Sequence, residues 1–208
     1  MRPVNALDTA AIQAAIGTPL DFVVAKRLPV LDAHCRRFIE LAPFVCLGTV
    51  GPDGDCDVSP RGDPPGFVRI LDDRTLALPE RPGNRLADSL RNVAENGQVG
   101  MLFIVPGIEE TLRVNGRGRV TDDAELLASM TVGGKPPRLA IVVEVEEAFL
   151  HCAKAFKRSR LWDPAAQVER SALPTLGQIL RDQVTHPDTA DAEKLEVEIQ
   201  EEYRTQLY

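Results

Sequence analysis

Hydrophobic and polar positions alternate in distinct ways along the chain, and each pattern predicts an element. "LDAHCRRFIELA" places Leu31, Cys35, Phe38 and Ile39 on one helical stripe. Ahead of it, "LDTAAIQAAIG" reads as a short helix ended by Gly17. The pattern then turns to strands. "PFVCLGTV" (43–50) is rich in β-formers, "GPDGD" (51–55) holds turn residues, and "CDVSP" (56–60) alternates, which predicts a hairpin. "GFVRIL" (66–71), "DDR" and "TLALP" (75–79) predict a second hairpin. Helical spacing returns over 84–96, with Asn84 as the expected N-cap and Asn96-Gly97 as the stop. On that helix Leu86, Leu90 and Val93 share the face expected to pack on a sheet. "QVGMLFIV" (98–105) reads as a buried strand, and "ETLRVNGRGRV" (110–120) alternates with period two. "DDAELLASM" (122–130) is a short helix with acids at its start, and "RLAIVVEVEEAFLH" (138–151) is a long strand.

These elements sum to about six strands, mostly joined by tight turns, with a helix between the fourth and fifth. Such an order predicts a mainly β fold with flanking helices, a barrel or a sandwich in preference to a doubly wound sheet. The final stretch, "THPDTADAEKLEVEIQEEYRTQLY", is acidic, and Leu195, Ile199 and Tyr203 recur every four residues. It predicts an amphipathic helix packed on the body or on a partner, with a solvated tail as the alternative. The expected organisation is one domain: N-terminal helices over 1–42, a core over 43–165 and a helical extension over 166–208.

Composition narrows the function classes. With 44% hydrophobic and 26% charged residues, the chain has the profile of a globular protein. Its net charge of -7 disfavours non-specific binding to nucleic acid or anionic membranes, but permits a local basic pocket. No segment has the length of a membrane span, and the first residues lack the regions of a signal peptide. A cytoplasmic location is therefore expected, with Cys35, Cys46, Cys56 and Cys152 as reduced thiols serving as small core residues. The adjacent pairs His34-Cys35 and His151-Cys152 point their side chains apart, so no metal site is expected. Glu109-Glu110 and Glu146-Glu147 read as exposed edges.

Three segments carry candidate chemistry. In "LPERPGNRLADSLRN" (78–92), Arg81, Arg85 and Arg91 surround a Pro-Gly-Asn turn where a helix is expected to begin. A helix start offers free backbone N–H groups, Arg85 a guanidinium fork and Ser89 a hydroxyl, and Asn92 shares their sector. That set suits a phosphate, although a polar helix face in water is the general alternative. "DVSPRGDPPG" (57–66) puts Ser59 and Arg61 at a strand end before Gly62-Asp63. In "LRVNGRG" (112–118), Arg113, Asn115 and Arg117 lie on one face and Leu112 and Val114 on the other. The three segments are candidates to converge on one anionic ligand.

"VSPRGD", "PERPGNRLADSLRN", "LRVNG" and "HCAKAFKRSRLWDP", in this order and spacing, resemble the pyridoxamine 5'-phosphate oxidase-like FMN-binding family, in its bacterial branch of FMN-dependent enzymes. The resemblance covers roughly residues 30–165. It implies a split β-barrel forming a homodimer, with FMN at the subunit interface. By motif, it implies that Ser59, Arg61, Gly62 and Asp63 lie along the cofactor and that Asn84 and Arg85 meet the phosphate, with Ser89 and Asn92 close by. Asn115 would approach from a neighbouring strand. Lys154, Lys157, Arg158, Ser159 and Trp162 would close the site from the second subunit, with Trp162 covering the ring while its N–H stays wet. The chain lacks the Arg-Leu-x-Pro ending of the name-giving oxidase, so the resemblance does not extend to oxidation of pyridoxamine phosphate. It implies instead an FMN-dependent oxidoreductase acting on an unknown small substrate. A flavin-binding or redox-sensing module, or a split barrel that uses haem or the deazaflavin F420, is the alternative.

Overall fold

The computed structural model describes residues 5–208. Two short N-terminal helices, α1 (Thr9–Ile16) and α2 (Asp21–Ala25), bury no residue of their own. Helix α3 (Ala33–Leu41) is capped by Asp32, whose carboxylate accepts from the Cys35 N–H at 2.8 Å. That bond holds the Asp32 carboxyl below its ordinary pKa. The expected stripe is the buried one: Leu31, Cys35, Phe38 and Ile39 join the core. Burial pushes the Cys35 thiol up to about 12.

Seven strands follow: β1 (Phe44–Val50), β2 (Cys56–Gly62), β3 (Arg69–Ile70), β4 (Thr75–Pro79), β5 (Gln98–Ile104), β6 (Thr111–Thr121) and β7 (Ala140–His151). They form one antiparallel sheet in the order β2-β1-β5-β6-β7-β4-β3. The second hairpin is shorter than predicted. Only Arg69 and Ile70 pair, because Phe67 and Val68 turn into the core instead. Helix α4 (Asp88–Glu95) lies between β4 and β5, and α5 (Ala124–Ser129) between β6 and β7. This is a mainly antiparallel fold with flanking helices, consistent with a split barrel.

Alternation decides the two faces. Val45, Leu47, Met101, Phe103, Leu112 and Val114 point inward and are fully buried with Ile39 and Val93. The outer face carries a row of cross-strand neighbours: Val58, Gly48, Gly100, Asn115 and Glu147. A bulge follows Asn115, and there Gly116 fits because a Cβ would overlap the Glu144 carbonyl. Beyond the bulge a second, smaller cluster of Ala77, Leu127, Met130, Ala140 and Val142 covers the outer face.

After β7 come α6 (Lys154–Ser159), α7 (Leu176–Gln183) and α8 (Ala192–Thr205). α7 begins with a capping box of Thr175 and Gln178. α7 and α8 pack chiefly on each other, with Gly177 of α7 against the Ala192 carbonyl of α8. The predicted amphipathic helix is present as α8, with Leu195 and Ile199 half-buried and Tyr203 exposed. Among the described residues no helix is long and apolar enough to cross a membrane. All four cysteines are free, but only Cys35 is a core residue; Cys56 and Cys152 are exposed.

Candidate functional site

The sheet does not close by backbone pairing between its two ends. Side chains bridge the gap instead. Arg61, at the end of β2, pairs with Glu80, just beyond β4. Asp63 pairs with Arg81 at 2.6 Å, and the Asp63 side chain is fully buried. Arg81 also donates to the Met130 carbonyl at 2.8 Å. Removing one partner of a buried pair of this kind costs about 3–5 kcal/mol. The "SPRGD" and "ERPGN" motifs are therefore joined in space at this split.

A hydrogen-bond chain runs from there under α4. Arg61 Nε donates to Ser59 Oγ at 3.1 Å, Ser59 Oγ and Ser89 Oγ lie 3.0 Å apart, and Ser89 Oγ donates to Asp57 at 3.0 Å. A hydroxyl has one hydrogen, so Ser59 must donate to Ser89. The chain runs one way, from a cation to a carboxylate, and its members polarise each other. Ser89 is 2% exposed, so this hydroxyl docks α4 onto β2. Asn92 does the same for β1 through Thr49 at 3.1 Å.

The loop ahead of α4 differs from the sequence prediction. The helix begins at Asp88, with Ala87 as its N-cap and no side-chain cap. Asn84 caps a loop turn instead, accepting from the Leu86 N–H at 3.0 Å. Arg85 and Ala87 both take left-handed backbone angles, φ 63° and φ 59°. Each costs roughly 1–2 kcal/mol in a residue with a Cβ. Such strain clusters at functional sites. Leu86, expected on the core face, is 57% exposed because it precedes the helix. Arg85 is exposed and has no ion-pair or hydrogen-bond partner among the described residues. The first-turn N–H groups of α4 point the same way as any uncapped helix start, toward incoming negative charge. Asp88, in that first turn, opposes such a charge in part.

The other predicted residues lie elsewhere in the chain. Asn115 is on the outer face, opposite to Ser59 and Arg61, so the three segments do not share one face of one protomer. It faces Gly100, and its side chain donates to Glu147 at 3.4 Å. Gly48 and Gly100, its cross-strand neighbours, present no side chain there. Glu147 is not an exposed edge residue: it is half-buried and takes Arg113 as its partner. The Arg113 Nε is buried without a partner.

Of Lys154, Lys157, Arg158, Ser159 and Trp162, only Lys157 and Trp162 contact the turn between β5 and β6, while the others stand on α6. A cavity of about 340 Å³ is lined there by Glu109, Phe156, Lys157, Arg160, Trp162 and Asp163. Lys157 pairs with Glu109 at 2.6 Å, which raises its pKa. The Trp162 N–H is not wet; it donates to the Ile108 carbonyl at 2.9 Å. Lys154, Arg158 and Ser159 are exposed. Among the described residues no ion pair or hydrogen bond links this group to the split. Nor does any group of three or more His, Cys, Asp or Glu stand ready to hold a metal ion.

Sequence reasoning missed Asp57, Glu80 and Tyr208. Asp57 and Glu80 flank quoted motifs, so charge next to a motif was the available signal. Tyr208 had none, being 145 residues from its partner Asp63.

An antiparallel sheet that runs from β2 to β3 without closing, with a strained arginine loop beside the Arg61–Glu80 bridge, is consistent with the split-barrel class. Residues 31–152 match the model of the family described as pyridoxamine 5'-phosphate oxidase, and the chain belongs to that family. No curated protein matches it in sequence. Several solved structures are similar to part of this chain at low identity. A proposed pyridoxamine 5'-phosphate oxidase from Lactobacillus delbrueckii is 22% identical, with 60% of this chain and 98% of that one covered and a TM-score of 0.46. An FMN-binding protein from Syntrophomonas wolfei is 12% identical, covering 56% and 88%, at 0.43. HutZ, the haem storage protein of Vibrio cholerae, is 18% identical, covering 58% and 93%, at 0.42. Fold likeness at this level does not name the cofactor.

Proposed function

We propose that this protein is a homodimeric FMN-binding member of its family and an oxidoreductase acting on a small substrate. The observation that carries the reading is the 84–88 loop. Two left-handed residues with side chains hold an unpaired Arg85 beside an uncapped helix start. Strained loops of this kind cluster at ligand sites, and its donors suit a phosphate.

The residues fit FMN in their chemistry. Arg85 and the first-turn N–H groups of α4 would take the phosphate. Arg61 is held by Ser59 and Glu80, so it is oriented before any ligand arrives. Ser89, Asn92 and Asp63 act behind these groups, fixing α4 and Arg81. Gly48, Gly100 and the Asn115 amide lie on the opposite face, so they would meet the ring only from the second copy. FMN, when bound, supplies the hydride or electron transfer. Because the split, the outer face and the α6 region are separate within one protomer, a second copy would bring Lys154, Lys157, Arg158, Ser159 and Trp162 to the first copy's loop. The exposed apolar Val58 on the outer face supports such pairing, being 69% exposed.

The test is the visible spectrum of the purified protein before and after adding FMN and desalting. Retained flavin bands are expected, followed by bleaching with NADH or NADPH and recovery with an acceptor. A protein that stays colourless overturns the cofactor assignment. One that holds FMN but passes no electrons with any donor is a binding module instead of an enzyme.

A further inference from the structure

The segment after α8 returns to the split in the sheet. The Tyr208 hydroxyl donates to Asp63 Oδ1 at 2.6 Å. The Arg81 guanidinium lies over the Tyr208 ring, 5.5 Å from its centroid. Lys135, in the loop before β7, donates to the Tyr208 carbonyl oxygen at 2.7 Å. Asp63 thus receives Arg81 on one carboxylate oxygen and Tyr208 on the other. Its charge is satisfied without water, as its full burial requires.

The rest of this segment holds little. α7 and α8 pack chiefly on each other, and Leu207 next to Tyr208 is 62% exposed. The helical hairpin is thus tied to the barrel at Tyr208, by its hydroxyl to Asp63 and by its carbonyl to Lys135. Arg81 opens the 81–87 loop, so whatever fixes Arg81 fixes where the loop begins. The hydroxyl's bond to Asp63 raises the phenol's pKa above its ordinary value.

We infer that Tyr208 is a positioning residue of the proposed anion site, acting as a latch that seats the α7–α8 hairpin on the split and holds Arg81 and the 81–87 loop in place. This rests on the FMN reading only for the identity of the ligand. The latch itself is testable without any ligand.

Amide hydrogen exchange is compared in the ligand-free wild type, Tyr208→Phe and Tyr208→Ala. Phe keeps the ring over Arg81 and removes only the hydroxyl; Ala removes both. The 81–87 amides should exchange at least fivefold faster in Tyr208→Ala and to an intermediate degree in Tyr208→Phe, with β5–β7 unchanged. Equal exchange in all three proteins overturns the latch. The same proteins are then titrated with FMN, following flavin fluorescence. A Kd raised about tenfold in Tyr208→Ala, partly rescued in Tyr208→Phe, supports the positioning role. An unchanged Kd alongside faster exchange overturns that role. If the wild type takes up no FMN, the cofactor reading has failed separately, and inorganic phosphate becomes the titrant under the same rule. Lys135→Met removes the second tie without touching Asp63 and should give a smaller change in the same direction; no change in exchange there, with none in Tyr208→Phe, counts against the latch.

Discussion

At the scale of single residues, the arginines at the split divide into two kinds. Arg61 and Arg81 are already paired, at 16% and 15% side-chain exposure, and their work is architectural. Arg85 is exposed and unpaired among the described residues, so its guanidinium is available to a ligand at little cost. Arg85→Ala should therefore weaken FMN by about 2–3 kcal/mol, the value of a charge-assisted pair, and leave the unfolding midpoint unchanged. Calorimetric titration measures the first quantity and a urea melt the second. Unaltered affinity would remove Arg85 from the site. Ala87 gives the complementary test, because it bears strain and offers no side-chain chemistry. Glycine there relieves about 1–2 kcal/mol of left-handed strain but adds roughly 0.4–1 kcal/mol of unfolded-state entropy. Ala87→Gly should stabilise the protein by about 0.5–1 kcal/mol in urea unfolding. If FMN also binds more weakly, the strained backbone is part of the site; a destabilised variant would show that the left-handed angle carries no strain.

At the scale of elements, patterning read well where one face is buried and poorly where side chains stand in for backbone pairing. The strands β1, β2 and β5–β7 were legible because inward positions alternate, as at Val45 and Leu47 or Leu112 and Val114. The N-cap of α4 lies three residues beyond the expected Asn84, since Asn84 can cap a helix or a loop turn with the same oxygen. Periodicity carries no information on positive φ at Arg85 and Ala87. The inward hydroxyls of Ser59 and Ser89 were legible as a set, but their chain to Asp57 depends on a contact across 32 residues. α7 was missed although its Thr175-x-x-Gln178 box was in plain view. That helix yields a prediction at its own scale. A Cβ on Gly177 would overlap the Ala192 carbonyl and press on Glu196 N at 2.9 Å. Gly177→Val should push α7 off α8 at a local cost of about 1–3 kcal/mol. Proteolysis between 184 and 191 should accelerate while the barrel's cooperative melt stays in place. A hairpin equally resistant to protease would mean that its packing does not depend on this close approach.

At the scale of the whole molecule, acid stability and assembly follow from where charge and apolar surface lie. His151 is half-buried near Arg113 and Lys26; burial first, then these cations, holds its pKa below the ordinary 6.5. The unfolded chain therefore binds that proton more readily than the folded one. This contribution to stability is complete above pH 6.5 and is lost as pH falls below it. The lowered carboxyls Asp32 and Asp163 act in a separate window, losing their contribution only as pH drops below 3.8. His151→Gln should flatten the upper limb of the stability–pH curve and leave the lower one; an unchanged upper limb would assign it to another group. Assembly is the larger question, because the proposed site is complete only with two copies. The outer face places Val58 at the end of the row through Gly48 and Gly100 to Asn115, and Phe44, Cys46, Leu102 and Ile104 are half-buried on the same face. On the proposed reading this strip is the surface that a second copy covers. Val58→Asp puts a charge on the strip without touching the core, since Val58 points away from Leu47 and Val45. Light scattering should then show the species fall from twice the mass of one chain to once, with FMN retention lost in step. A variant that becomes monomeric yet keeps FMN would place the whole cofactor site within one protomer, and the α6 region would have to reach it by a path inside the same chain.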